Sequence, residues 1–192
     1  MEVLEAISRR RSIRKFQETP IPRSVVEKLL SAAVQAPSAK NRQPWRFVVL
    51  EGAARLKLAR LMEQGAEFVE SRGDSAGSCR GSARAVAQAP MTVLIFNPRH
   101  QHPGLIFDNV VYNAPDILSI GAMVQTMLLA AEDLGLGTLW ICDILYAYPL
   151  IREWLDRDDE LVTAVSIGHP DISPDARPRT PWGEITEWRE NG

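Results

Sequence analysis

The chain has 192 residues, 45% hydrophobic and 24% charged, with a formal net charge of -2. That composition suits one domain, residues 1–192, with a core of its own. It lacks the apolar run of ~20 residues that a membrane span needs, the cysteines of a disulfide framework, and the basic surplus that would mark nucleic acid as a partner.

In chain order, Val3, Leu4 and Ile7 stand at helical spacing, so a short amphipathic helix is predicted over residues 2–10. The first residues lack the basic-then-apolar layout of a secretory signal, and a cytoplasmic protein is expected. The helix leads into Arg9–Phe16, where Arg9, Arg10, Arg11, Arg14 and Lys15 occur without an acid. Two readings stand: a solvated basic turn, or guanidinium forks and the Ser12 hydroxyl gathered for a phosphate. No aromatic platform interleaves the cations, so single-stranded nucleic acid is a poor fit.

Pro22 is suited to open a second helix, whose apolar side is Val25, Val26, Leu29, Leu30, Ala33 and Val34, ending near Ala36. Pro37–Trp45 is a polar loop and Arg46–Leu50 a strand. Ala53–Gln64 has helical periodicity. From Gly65 to Gln88 the pattern is weak, and Arg72–Gly81, rich in Gly and Ser, reads as a mobile loop that leaves Cys79 the more reactive of the two thiols.

Met91–Phe96 is a buried strand. Asn97–Pro115 reads as a long irregular connection with a helical turn at Leu105–Tyr112, of the sort that forms lids and binding loops. His100 and His102 within it have no cysteine or acid at metal-ligand spacing, so no metal is expected. Asp116 is the expected N-cap of a helix over Ile117–Leu134. That helix is apolar nearly all round, so it belongs in the core or against a second subunit. Gly135 stops it. Gly135-Leu136-Gly137 leads from helix to strand, the reverse of a dinucleotide-binding loop. Thr138–Cys142 follows as a strand, with Cys142 read as a small buried hydrophobe. A helix over Leu150–Leu155 and a strand over Leu161–Ile167 complete the domain, and His169 falls in a turn. The proline-broken tail carries Trp182 and Trp188, which need something to cover them.

Three segments carry a pattern: Arg9-Arg10-Arg11-Ser12-Ile13-Arg14, Pro37-Ser38-Ala39-Lys40-Asn41-Arg42-Gln43-Pro44-Trp45, and Arg177-Pro178-Arg179. In this order they resemble the FMN-dependent nitroreductase family, over about residues 2 to 188. The resemblance implies an α+β fold with a central, mainly antiparallel sheet flanked by helices. It also implies an intertwined homodimer with FMN in each of two interfacial clefts. Carried over residue by residue, Arg11 and Ser12 would hold the phosphate, and Arg10 and Arg14 would reach the ribityl chain and pyrimidine edge. Pro37, Ser38, Ala39 and Asn41 would approach from the partner subunit, and Arg177 and Arg179 would close on the phosphate. Trp140, Ile141, Cys142 and Asp143 would pass the reactive edge of the ring, mainly through backbone.

No catalytic side chain is implied, because the flavin carries the hydride. The implied activity takes electrons from NADH or NADPH through FMN to a small flat acceptor such as a nitroaromatic, quinone or enone. Two alternatives stay open: an FMN enzyme of this fold without nicotinamide, of the dehalogenase or flavin-fragmenting type, and a non-catalytic flavin-binding module. Asn41 and Gln43 could instead brace their own loop, Trp45 belongs to the core, and Arg9, Lys15, Lys40 and Arg42 read as exposed. Many relatives have a serine where Ala39 stands. They also supply an Asn and a Lys from the segment matching residues 65–84, where Arg72, Arg80 or Arg84 could substitute.

Overall fold

In the computed structural model, which describes residues 1–98 and 113–190, the centre is a strand buried along its whole length. Among the described residues four strands, β1 (Arg46–Glu51), β2 (Met91–Asn97), β3 (Gly137–Ile141) and β4 (Glu160–Gly168), form one sheet in the order β1-β2-β4-β3. Every neighbouring pair is antiparallel. Side chains of a strand alternate between faces, and β2 uses both. Met91, Val93 and Ile95 enter one hydrophobic cluster, while Leu94 and Phe96 enter the other. Each such side chain contributes about 1.5–3 kcal/mol by leaving water. Thr92 and Ser166, buried side by side across β2 and β4, satisfy each other at 2.9 Å.

Among the described residues, six α-helices cover the two faces: α1 (Val3–Arg9), α2 (Arg23–Ala33), α3 (Gly52–Ser71), α4 (Cys79–Gln88), α5 (Ala114–Asp133) and α6 (Tyr148–Leu155). The cluster containing Val93 and Ile95 is closed by Val26 and Leu29 of α2 and by Met123, Met127 and Ala131 of α5, with Trp45 beside them. The opposite cluster is closed by Leu58 and Met62 of α3, Ala83 and Val86 of α4, and Ile151 of α6. The result is the α+β arrangement expected, an antiparallel sheet between two helical layers.

Several local expectations are corrected. α5 begins three residues early, because Pro115 is well suited to a first turn; Asn113 takes the cap position and Asp116 lies inside the helix, buried. In length and apolarity α5 would pass for a membrane span, against the expectation that no run would. Its inward stripe, however, is spent on the core, while Leu118 on its outer side is 74% exposed. α3 runs on to Ser71, and α4 forms where a weak pattern and a loop were expected. Its buried residues Cys79, Ser82, Ala83 and Val86 stand at helical spacing, but most are too small to give a strong apolar signal. The loop is thus shortened to Arg72–Ser78. Cys79 is fully buried and Cys142 is exposed, the reverse of the expected assignment. Most of the Asn97–Pro115 connection, with its turn at Leu105–Tyr112 and with His100 and His102, lies outside the described residues.

Candidate functional site

The basic segment leaves α1 and is fastened to the β3 end of the sheet. The Ile13 N–H donates to the Thr138 carbonyl at 2.8 Å, and Ser12 bridges Thr138. Further on, the Gln17 N–H donates to His169 O at 2.9 Å and the Asp171 N–H to Lys15 O at 3.0 Å. Ile13 and Phe16 are buried, so the apolar members of the segment anchor it and its cations face outward. Gly137 makes the close approach possible: a Cβ there would meet Ile13 Cγ1 at 2.7 Å.

The chain leaves β4 alongside the same segment, and this brings the two ends of the polypeptide together. Arg10, Arg11, Ser12, Arg14, Arg177 and Arg179 line one cleft of about 360 Å3. Asp175 is the one carboxylate in its wall. Among the described residues, none of the five arginines forms an ion pair. The Arg11 guanidinium donates to the carbonyls of Ser8 and Arg10 at 2.7 and 2.9 Å. Arg14 reaches Ser12 O at 3.4 Å, and Arg179 reaches Arg177 O and Pro178 O, both at 3.1 Å. By contrast Arg9, at the end of α1, pairs with Glu5 and Glu132. Guanidinium groups gathered on one cleft and not paired with acids are suited to an anion, and their planar forks match phosphate.

The second predicted group lies at the end of β3. The Trp140 indole N–H donates to Thr163 Oγ1 at 2.8 Å, and that hydroxyl donates to Ile141 O at 2.9 Å. Trp140 stays 41% exposed. Asp143 opens a 3-10 turn, Asp143–Ala147. Since Ser12 bridges Thr138, two positions before Trp140, the first and second groups share one strand.

The third group, Pro37, Ser38, Ala39 and Asn41, lines no part of the basic cleft. It sits instead on the N-terminal end of α5. The Ala39 N–H donates to Ser119 Oγ at 3.1 Å, and Arg42 pairs with Asp116 through Nε at 2.8 Å and Nη2 at 2.7 Å. Arg42, expected exposed, has a side chain only 16% accessible because it covers this buried acid. Lys40, Asn41 and Gln43 hold φ of 52°, 53° and 50°, a left-handed conformation costing about 1–2 kcal/mol per non-glycine residue. Hydrogen bonds offset it: the Gln43 N–H donates to Ser38 Oγ at 3.0 Å, and Gln43 Nε2 donates to Asn41 Oδ1 at 3.1 Å.

The profile of the nitroreductase family matches residues 7–169. The chain belongs to the nitroreductase family. A protein of Archaeoglobus fulgidus, provisionally named NADH dehydrogenase/NAD(P)H nitroreductase, is 31% identical over 177 residues, covering 88% of this chain and 86% of its own. A Methanothermobacter thermautotrophicus protein of the same provisional name is 28% identical over 188 residues, 92% of this chain and 82% of its own. A crystal structure from Desulfovibrio desulfuricans, provisionally named a nitroreductase and solved in complex with FMN, matches with a TM-score of 0.76 at 25% identity. It covers 100% of this chain and 99% of its own.

In this nitroreductase-family chain the arginines of the 65–84 region stand away from the basic cleft. Arg80 pairs with Glu70 at 2.7 Å and Arg72 stacks on Phe68, while Arg84 is exposed; none of them lines the basic cleft. Sequence reasoning missed Ser78 and Ser82, which donate to Asp143 Oδ2 at 2.6 and 2.8 Å. Their spacing of four, one turn on a helix face, was the available signal, hidden because no helix was predicted there.

Proposed function

We propose that the protein is a homodimeric FMN oxidoreductase that takes hydride from NADH or NADPH and passes electrons to a small flat acceptor such as a nitroaromatic, quinone or enone. One observation carries the reading: five arginines with no ion pair among the described residues, and a serine hydroxyl, drawn from opposite ends of the chain, line a single cleft. A phosphate dianion on a flavin chain fits that donor set. Arg11 and Ser12, with Arg177 and Arg179, hold the phosphate. Arg10 and Arg14 attend the ribityl chain and the pyrimidine edge, where a fixed cation favours the reduced ring's negative charge. FMN, when bound, supplies the hydride chemistry, so the protein's part is binding, orientation and exclusion of water. Trp140–Asp143 present backbone to the reactive edge.

The loop Pro37–Asn41, which stands apart from the cleft of its own chain, completes the site of the partner subunit. Trp182, Ile185 and Trp188 are 71%, 72% and 78% exposed, apolar area that a second copy would cover. The test is direct. Protein refolded with excess FMN and dialysed retains flavin absorbance, sediments as a dimer and is bleached anaerobically by NADH or NADPH. Loss of all flavin on dialysis refutes the reading. Bound FMN indifferent to both nicotinamides replaces it with an FMN enzyme of the dehalogenase or flavin-fragmenting kind.

A further inference from the structure

The turn that follows β3 is gripped by the helical layer it packs into, that of α3 and α4. Ser78 occupies the N-cap position of α4, yet its hydroxyl makes no bond to its own helix. It donates instead to Asp143 Oδ2 at 2.6 Å, and Ser82, one turn further along, donates to the same oxygen at 2.8 Å. A serine cap is worth about 0.5–2 kcal/mol to its helix, and here that hydroxyl is directed at another element. Between the two serines, the buried Cys79 thiol reaches Asp143 O at 3.6 Å and Met62 O of α3 at 3.5 Å. The thiol is held protonated, its pKa pushed up to about 11 by burial and by the Asp143 charge, so it remains a donor at neutral pH.

The far half of the turn is fixed by packing. Ile144 and Ala147 are fully buried, and α3 comes so close that a Cβ at Gly65 would lie 2.5 Å from the Tyr146 carbonyl oxygen. The near half, Cys142 and Asp143, has an exposed thiol and a part-exposed carboxylate; the Cys142 carbonyl accepts from the Leu145 N–H at 3.1 Å, and Asp143 is held from α4.

We propose that Ser78 and Ser82 are positioning residues: Trp140 and Ile141 are held by their pairing with β4, and by holding the Asp143 carboxylate the two serines set the backbone of Cys142 and Asp143 against the reactive edge of the bound ring. The proposal rests on the FMN reading above and adds to it a division of labour. The arginine cleft decides how tightly FMN binds, and the start of α4 decides how the ring-facing backbone is presented. Misplacement of a reacting group by about 1 Å can cost on the order of a hundredfold in rate, so a clamp of this kind acts on turnover rather than on affinity.

The experiment uses full-length holoprotein with wild type, S78A/S82A, D143A and D143N. Three quantities are read: the FMN dissociation constant, the anaerobic rate of flavin bleaching by NAD(P)H, and the visible circular dichroism of bound FMN. S78A/S82A and D143A are expected to bind FMN within about threefold of wild type, to bleach roughly tenfold or more slowly, and to show an altered visible dichroism. D143N keeps an oxygen for both hydroxyls and is expected to bleach faster than D143A; a D143N rate no faster than that of D143A counts against the clamp. Wild-type rate and dichroism in S78A/S82A overturn the clamp while leaving the FMN reading intact. Wild-type protein that holds no FMN overturns both. If D143A or the double variant fails to fold, S78A and S82A singly decide. Each keeps one hydroxyl on the carboxylate, so partial slowing supports the clamp and no slowing overturns it.

Discussion

Replacing Gly137 with alanine tests how the N-terminal arginines are held. No left-handed backbone is needed at Gly137, so alanine is permitted by φ and the cost is steric. The added Cβ would meet Ile13 at Cγ1, Cβ and Cγ2, at 2.7, 3.1 and 3.2 Å. Ile13 is 5% exposed and has little room to retreat into the core. Such overpacking costs about 1–3 kcal/mol. The way out is for the segment to lift from β3, breaking the 2.8 Å bond from Ile13 to Thr138 and moving Ser12 and its flanking arginines. A charge-assisted hydrogen bond to the phosphate is worth about 1.5–3 kcal/mol, so breaking one should lower FMN affinity roughly ten- to hundredfold. Ile13→Ala alone should cost about 2–5 kcal/mol as a cavity. Combined with G137A it should cost less than the sum, because the truncated side chain accepts the new methyl. Urea denaturation of the two single variants and the double variant, with flavin titration, measures this. G135A is the control: Gly135 has φ of 72° with nothing within 4 Å of a Cβ, so it should lose stability through backbone strain, about 1–2 kcal/mol, with FMN affinity intact. Additive effects within about 0.5 kcal/mol, or a G137A variant with wild-type flavin affinity, would refute the steric account.

Arg10→Ala, Arg14→Ala and Arg179→Ala should each weaken FMN about tenfold or more without lowering the apo-protein's melting temperature, and rising salt should narrow the difference from wild type; equal affinities in flavin titration would remove these side chains from the site. Iodoacetamide at pH 8 should label Cys142 and spare Cys79 in native apo-protein, read by peptide mass spectrometry, because one thiol is exposed and the other buried. The folded pKa of Cys79 lies above its usual 9.0, at about 11. Its share of stability is therefore complete below about pH 9 and lost as pH rises through about 11, and C79A should flatten that part of the denaturation profile. Arg42→Leu should cost about 3–5 kcal/mol in urea denaturation, because it leaves the Asp116 charge buried without its cation; a loss under about 1 kcal/mol would mean that the pair is easily solvated.

Strong periodicity made much of the fold legible. Residues 91–96 read as a buried strand because the run is apolar and β-branched, and Leu29, Met123 and Val165 fall where their spacing places them. What escaped was built from small or polar residues. The inner face of α4 is Cys, Ser and Ala, whose burial yields too little to stand out from a Gly/Ser loop. Asp116 reads as a cap from its position in sequence, and only the fold reveals Arg42 as its partner. The arginine cleft was legible only through the family resemblance, which expected the two ends of the chain to meet; nothing local says that residue 10 and residue 179 share a wall. The two cysteines were misassigned for the same reason as α4: without the helix, residue 79 looks like loop.

Because its walls come from the first and last parts of the polypeptide, the cleft closes a loop of almost the entire chain. Contacts so distant in sequence are entropically dear and form late. The sheet and its helices can be complete before the cleft exists. In an apo-protein the cleft-forming segments are then expected to come loose first, since like charges crowd there with Asp175 as their only lining carboxylate among the described residues. An anion seated among them acts as a staple, so cofactor supply would govern proteolytic survival of the ends while the melting of the central strands changes little.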